Sequence, residues 1–368
     1  GGYDSTAVTA LLQANQSDKL KTFTIGFHEE DHNEAPFARE VARHLGTDHT
    51  EYYCTTREAQ EILPTIPFYC DEPFGDSSFI PTTLVSRLAR QEVTVALSAD
   101  AGDEIFAGYP KYPLALDFLK KMSMVPGFMK TPAASIMQQM PDSWLIRLSG
   151  NTAASIKKER FSGLLKEKRL TSTGIMDRLM SQVYSDHQLS GLLRQSPVRP
   201  YSFFDSEELL SQSLGPLDKM LAVDYKTYMV DDILVKVDRA GMSVSLEGRE
   251  PLLDHRIIEW AARLPESCKL KNGSSKHILR QIVHKYVPKE MMERPKMGFG
   301  VPVFHWLRHD LRYYADEYMN ETEFARHGLF RQEGVNHIMQ RFFAGDRNYN
   351  SLFWYLLMFQ MWYKKWME

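Results

Sequence analysis

Gly1-Gly2-Tyr3-Asp4-Ser5-Thr6 opens the chain, runs into the helix-forming stretch Ala7 to Gln13, and is followed by Lys21-Thr-Phe-Thr-Ile-Gly-Phe27. Paired glycines let backbone N–H groups turn inward without obstruction from a Cβ, and a helix behind them adds the positive end of its dipole. The combination reads as a phosphate cradle. It is neither the G-x-x-x-x-G-K-[ST] loop nor G-x-G-x-x-G, and the same string can also cap an ordinary helix, so the rest of the chain has to decide its meaning.

Working outward, Lys21 to Phe27 has the β-branched and aromatic content of a buried strand. Pro36 suits a first helical position, and the helix continues through Val41 and Leu45 to a stop at Gly46. Thr50 to Tyr53 reads as a second short strand. Arg57 to Ile66 and Pro81 to Gln91 read as helices, and Val93-Thr-Val-Ala-Leu97 as a further buried strand. This alternation is the rhythm of an α/β fold with a doubly wound parallel sheet. The last strand ends in Ser98-Ala-Asp-Ala-Gly-Asp-Glu104, which puts carboxylates where open α/β sheets bind ligands. A solvated acidic turn is the competing reading.

From Tyr109 the strand rhythm stops. Residues 110 to about 215 are rich in Leu, Met, Lys, Arg and Ser, are broken at Pro126, Pro132, Pro141 and Pro197, and read as helices with polar connections. Asp218 to Val230 is helical again. The tail from Ser275 is helical too, interrupted by Arg294-Pro-Lys-Met-Gly-Phe-Gly-Val-Pro302, where the glycines and prolines can hold Lys296 over a ligand. Leu352 to Tyr363 is strongly apolar but too short for a bilayer span, and reads as a buried terminal helix.

Composition narrows the function classes. The 368 residues are 43% hydrophobic and 25% charged, ordinary values for a globular chain with a large core. A formal net charge of -3 gives no general reason to bind nucleic acid or an anionic membrane. Cys54, Cys70 and Cys268 have no close metal-type spacing and cannot all pair, which points to a reduced, cytoplasmic protein without a visible signal peptide.

Seven strings in order, GGYDST (1–6), TFTIGF (22–27), DEPFGDSS (71–78), SADAGDE (98–104), DDILVKVDR (231–239), SLEGREPLLDH (245–255) and RPKMGFGVP (294–302), closely resemble the synthetase domain of glutamine-dependent asparagine synthetases. The resemblance runs from residue 1 to about 310, is weaker in the aromatic tail, and is slight between 115 and 215. The same domain occurs in β-lactam synthetases, so it fixes the chemistry better than the substrate. It implies an adenine-nucleotide α-hydrolase type of core, with a pyrophosphatase loop, in residues 1–110. Residues 111–368 then form a mainly helical part, of which 216–310 contribute to the site. It also implies that a first strand, the first serine of the loop and an N-terminal glutaminase domain lie upstream, so the chain reads as a piece of a longer protein.

The implied reaction is activation of a small carboxylate, aspartate in the name-giving enzymes, by ATP with Mg²⁺ to an acyl-adenylate, followed by attack of ammonia supplied by the glutaminase domain. By the resemblance, Gly1, Gly2, Asp4, Ser5 and Thr6 hold pyrophosphate. Asp4 and Asp103 ligate Mg²⁺, and Lys276 assists the phosphates. Ile25 and Ser98 give backbone contacts to the nucleotide, and Lys296 stabilises charge during adenylation. Asp100 stands where asparagine synthetases carry Glu and β-lactam synthetases Tyr, which suits proton transfer in the ammonia step and speaks against lactam closure. Ala99 and Ala101 replace usual glycines. Homodimer formation is compatible with the resemblance. Amidation of a sugar acid or peptide carboxylate, and an inactive fragment, remain the alternatives. A tRNA-thiolating enzyme would need catalytic cysteines and a basic surface that the sequence does not show.

Overall fold

A computed structural model describes residues 1–27, 33–141, 154–167, 170–181, 184, 186–195, 202–293 and 302–368. The chain divides into two compact units, one of Gly1–Gly108, Tyr225–Ala315 and Met361–Glu368, the other of Tyr109–Asp224 and Asp316–Gln360.

In the first unit, helix α1 (Tyr3–Ala14) leads to β1 (Lys21–Phe27), α2 (Ala35–Leu45) and β2 (Asp48–Cys54). Gly46 ends α2 in the left-handed region at φ 75°, the stop its sequence promises. Strands β1 and β2 are parallel, in register from Lys21 opposite Asp48 to Phe27 opposite Cys54, so α2 is the crossover of a βαβ unit. Gly26 is needed there because a Cβ would lie 2.9 Å from that of Ala35. Helix α3 (Thr56–Ile62) starts with a capping box between Thr55 and Glu58, and α4 (Phe79–Arg90) follows.

Among the described residues the strands pair as three two-stranded sheets, two of them parallel, in keeping with an α/β chain. Strand β3 (Val95–Leu97) pairs in parallel not with β1 but with β4 (Glu247–Arg249), a segment whose Glu-Gly-Arg sequence carries no strand signal. Val95 and Leu97 are 38% and 49% exposed, unlike the interior residues of a central strand. Between β3 and β4 in sequence lie the short helix α5 (Gly102–Ile105) and α6 (Val235–Met242). Beyond β4, α7 (His255–Arg263) precedes an antiparallel hairpin, β5 (Leu270–Lys271) and β6 (Ser274–Ser275), and then α8 (His277–Val283). Asn272 and Gly273 turn the hairpin with φ of 51° and 78°, the backbone that an Asn-Gly pair tolerates best.

One apolar cluster underlies the unit. It joins Ala7 of α1, Val41 of α2, Ile105 of α5, Ile233, Ala261 of α7 and Leu279 and Val283 of α8. Burial of these side chains, each worth about 1.5–3 kcal/mol for the larger aliphatics, fixes the ends of α1, α5 and α8 relative to one another.

The second unit is helical. Its helices Gly127–Gln139 and Ala154–Lys166 pack together, and the buried Asp224 accepts from the Tyr112 hydroxyl and from Lys111 at 2.7 Å. The terminal helix Asn350–Trp366 is the buried element its sequence suggests. Leu352, Phe353, Trp354 and Leu357 are almost fully covered, and Phe353 stacks on Phe342 at 3.9 Å. No described helix is long and apolar enough to cross a membrane.

Candidate active site

The opening string is a helix start rather than a free loop. Gly2 is the N-cap of α1 and offers no side-chain cap, so the helix geometry leaves the first-turn N–H groups without intrahelical acceptors; Thr6 N donates to Gly2 O at 3.0 Å. Gly2 has φ −76° and ψ 166°, a conformation open to any residue, so its backbone does not explain the glycine. What the missing side chain leaves is room, since a Cβ would meet no protein atom within 4 Å. Of the two hydroxyls, Ser5 is exposed and Thr6 is buried, because consecutive helical positions point about 100° apart.

Asp4, in the first turn of α1, meets Asp103 from α5 and Lys276, the N-cap of α8, at one point. The Lys276 ammonium bonds to Asp4 and lies 2.7 Å from an Asp103 oxygen. Three distant sequence segments therefore converge, each carried on a helix end. Lys276 holds a left-handed backbone, φ 52°, and its N–H donates to Phe106 O at 3.0 Å, which aims the side chain back at α5. Ala101, just before α5, is also left-handed at φ 77°, a conformation that costs a non-glycine residue about 1–2 kcal/mol. Gly108 passes so close that a Cβ would fall 1.9 Å from Asp103 Oδ1 and 2.0 Å from Lys276 Cε. Burial works against the charge on Lys276, but Asp4 and Asp103 outweigh it and hold the ammonium above its ordinary pKa.

Ser98 and Asp100 follow β3. Ser98 N donates to Arg249 O at 2.9 Å, extending the β3–β4 pairing, and the Ser98 hydroxyl donates to Asp100. Glu250, the residue after β4, is half-buried, and its carboxyl is raised above the usual range by burial first, then by the charges of Asp100 and Asp238. Ile25 lies buried inside β1, on a different sheet from Ser98. Lys296, with the rest of Arg294 to Val301, lies outside the described residues.

A second cluster went unassigned in the sequence although its members sit in two quoted strings. Asp76 accepts from Ser78 N at 2.9 Å, from the Ser78 hydroxyl at 2.7 Å and from Lys236 of α6 at 2.8 Å. Burial would raise the Asp76 pKa, but Lys236 and Ser78 hold it below the usual value. Asp232 beside it is pushed up to about 7, by burial first and then by Asp76, against the pull of Lys236. The partners are 160 residues apart, so no local pattern could have joined them.

Among the described residues no group of three or more His, Cys, Asp or Glu side chains could hold a metal ion. Asp4 and Asp103 nevertheless converge on a cation. Two carboxylates leave most of an octahedral shell to water and phosphate oxygens, which is how Mg²⁺ is usually held, so the pair fits that ion together with a polyphosphate.

A helix start open to anions, backed by two carboxylates and a buried lysine, is the arrangement of a phosphate-and-cation site. The Asparagine synthase family model matches residues 1–364, and the chain belongs to that family. It is 29% identical over 363 residues to asparagine synthetase [glutamine-hydrolyzing] 1 of Bacillus subtilis (strain 168), covering 99% of this chain and 55% of that protein. A putative asparagine synthetase [glutamine-hydrolyzing] of Mycobacterium bovis is 30% identical over 373 residues, 100% of this chain and 54% of that protein. A third relative, 23% identical over 334 residues (83% of this chain, 49% of that protein), is named amidase chyE of Penicillium rubens. The chain thus spans about half the length of these relatives.

Proposed function

We propose that this chain is the synthetase part of an ATP-dependent carbon–nitrogen ligase, which activates aspartate as an acyl-adenylate and amidates it with ammonia from a glutaminase domain outside this sequence. The observation that carries the reading is the meeting of Asp4, Asp103 and Lys276 at the N-terminus of α1. The first-turn N–H groups and Ser5 would bind the β- and γ-phosphates, with Lys276 adding positive charge. Asp4 and Asp103 would hold Mg²⁺, which supplies charge neutralisation on the phosphate oxygens. Adenylation asks little else of the protein beyond position and electrostatics.

Lys296 is proposed as the cation that meets the charge developing on the α-phosphate, and Asp100 as the group that takes a proton from the attacking amine. In the full-length protein, Lys296→Ala should lower carboxylate-dependent AMP formation by roughly 10²-fold or more, with little effect on ATP binding, because a transition-state contact changes rate more than ground-state affinity. Retention of more than about a tenth of the rate excludes this role. Amidation of another carboxylate is the second reading, since a relative of this chain carries a name other than asparagine synthetase. Measuring AMP release with aspartate, sugar acids and peptide carboxylates, each with ammonium, separates the two.

A further inference from the structure

Lys276, Arg280 and His284 recur every four residues. Arg280 N donates to Lys276 O and His284 N to Arg280 O, each at 2.9 Å, so the turns of α8 are continuous and present all three on one face. That face meets the first turn of α1. Lys276 takes Asp4, while the other two enclose Tyr3, the residue before Asp4. The Arg280 guanidinium lies over the Tyr3 ring, 4.2 Å from its centroid. The His284 ring meets the same ring edge-on, with centroids 5.6 Å apart and planes at 86°, and its Nε2 lies 3.4 Å from the Tyr3 hydroxyl. Arg280 is fixed in turn, because its Nε donates at 2.8 Å to the carbonyl of Ser275, the residue before Lys276. Tyr3 itself is partly buried and packs on the apolar cluster that joins α1 to α8.

We propose that Tyr3 is a positioning residue for nucleotide binding: held by Arg280 and His284, it fixes the first turn of α1 against Lys276. This rests on the ligase reading above. A lysine ammonium is a point charge on a flexible stem, so Lys276 alone would stay paired with Asp4 over a range of positions of α1. A guanidinium on an aromatic face is more demanding, since the attraction holds only near the ring centroid. Placed one residue from Asp4 and one helical turn from Lys276, this contact sets both the rotation of α1 and its advance along α8. The first-turn N–H groups, Asp4 and Lys276 then keep the mutual spacing that phosphates and a divalent ion require, and displacement of about 1 Å in such an arrangement is costly. The Tyr3 ring is engaged by α8, so its part is to place its neighbours.

The test uses the full-length protein, with carboxylate-dependent ATP–pyrophosphate exchange for adenylation and calorimetric titration of ATP with Mg²⁺, without carboxylate, for binding. Tyr3→Leu keeps apolar bulk for the cluster and removes the ring face; Arg280→Met keeps the stem and removes the charge. Each should raise the KM and the Kd for ATP by about 3- to 10-fold, the range that one cation–aromatic contact is worth. The fall in kcat should be smaller, and the KM for the carboxylate should not move. The double variant should be no worse than the weaker-binding single one, because both changes remove the same contact. Tyr3→Phe, which keeps the ring, should restore most of the affinity. Unchanged ATP affinity in Tyr3→Leu, losses that multiply in the double variant, or a carboxylate KM that rises in parallel overturns the role of Tyr3 and leaves the ligase reading intact. Absence of exchange in the wild-type protein overturns both.

Discussion

Lys276 and Lys236 are both buried, and each faces two aspartates brought from distant parts of the chain, yet the acids beside them carry different charge. Lys276 contacts Asp4 and Asp103 directly, and the two carboxylates together hold the ammonium charged. Lys236 contacts Asp76, while Asp232 shares a hydrogen bond with Asp76 and is pushed up to about 7. One lysine and two aspartates thus give a point where two anions converge on a cation in one place, and an ion pair with a proton-retaining acid beside it in the other. Geometry, not composition, makes the first suited to a divalent ion and the second suited to holding a proton.

The most severe way to break the first cluster is Gly108→Ala. Its Cβ would enter the space of Asp103 Oδ1 and Lys276 Cε. Adenylation should fall by roughly 10²-fold or more, as expected when a preorganised electrostatic group is displaced. Wild-type exchange activity in this variant would mean the cluster is not part of the site.

Lys276→Ala leaves two partly buried carboxylates facing each other and should destabilise the protein by about 3 kcal/mol. Because Mg²⁺ can take the place of the ammonium, adding it should recover much of the lost melting temperature by binding only the folded state. Lys236→Ala should cost less, about 1–3 kcal/mol, since Asp76 and Asp232 can keep a proton between them, and Mg²⁺ should not restore it. Equal response of both variants to Mg²⁺ would erase the distinction between the clusters.

Asp232→Asn probes the retained proton with the smallest effect. A carboxyl whose pKa rises from 3.8 to about 7 on folding binds its proton more tightly in the folded state, so it opposes stability progressively as pH climbs through that window. Removing it should stabilise the protein by about 1 kcal/mol at pH 8, allowing for partial solvent screening, and by almost nothing below pH 4. Urea titrations at the two pH values give the answer, and a larger gain at acid pH would reverse the assignment.

Much of the chain was legible locally. Pro36 and Gly46 bound α2, Thr50 to Tyr53 fall inside β2, and the apolar run from Leu352 is a buried helix. These elements follow from periodicity and end signals that act over a few residues. Strand β4 was not legible, because Glu-Gly-Arg becomes a strand only by pairing with Val95 to Leu97, some 150 residues away. The space left by Gly2 agrees with its reading as a residue without Cβ obstruction, since a Cβ there would meet no protein atom within 4 Å.

The sequence by itself determined which segments are proposed to carry chemistry, since a carboxylate after a glycine pair, a strand ending in aspartates and a lysine at a helix start are each visible within a few residues. Only the tertiary structure decided what those groups face. It placed Lys276 between Asp4 and Asp103, and Asp232 beside Asp76. The physical reason is that protonation and ion binding depend on burial and on charges within a few ångströms, and those neighbours come from parts of the chain whose separation in sequence carries no trace of their contact.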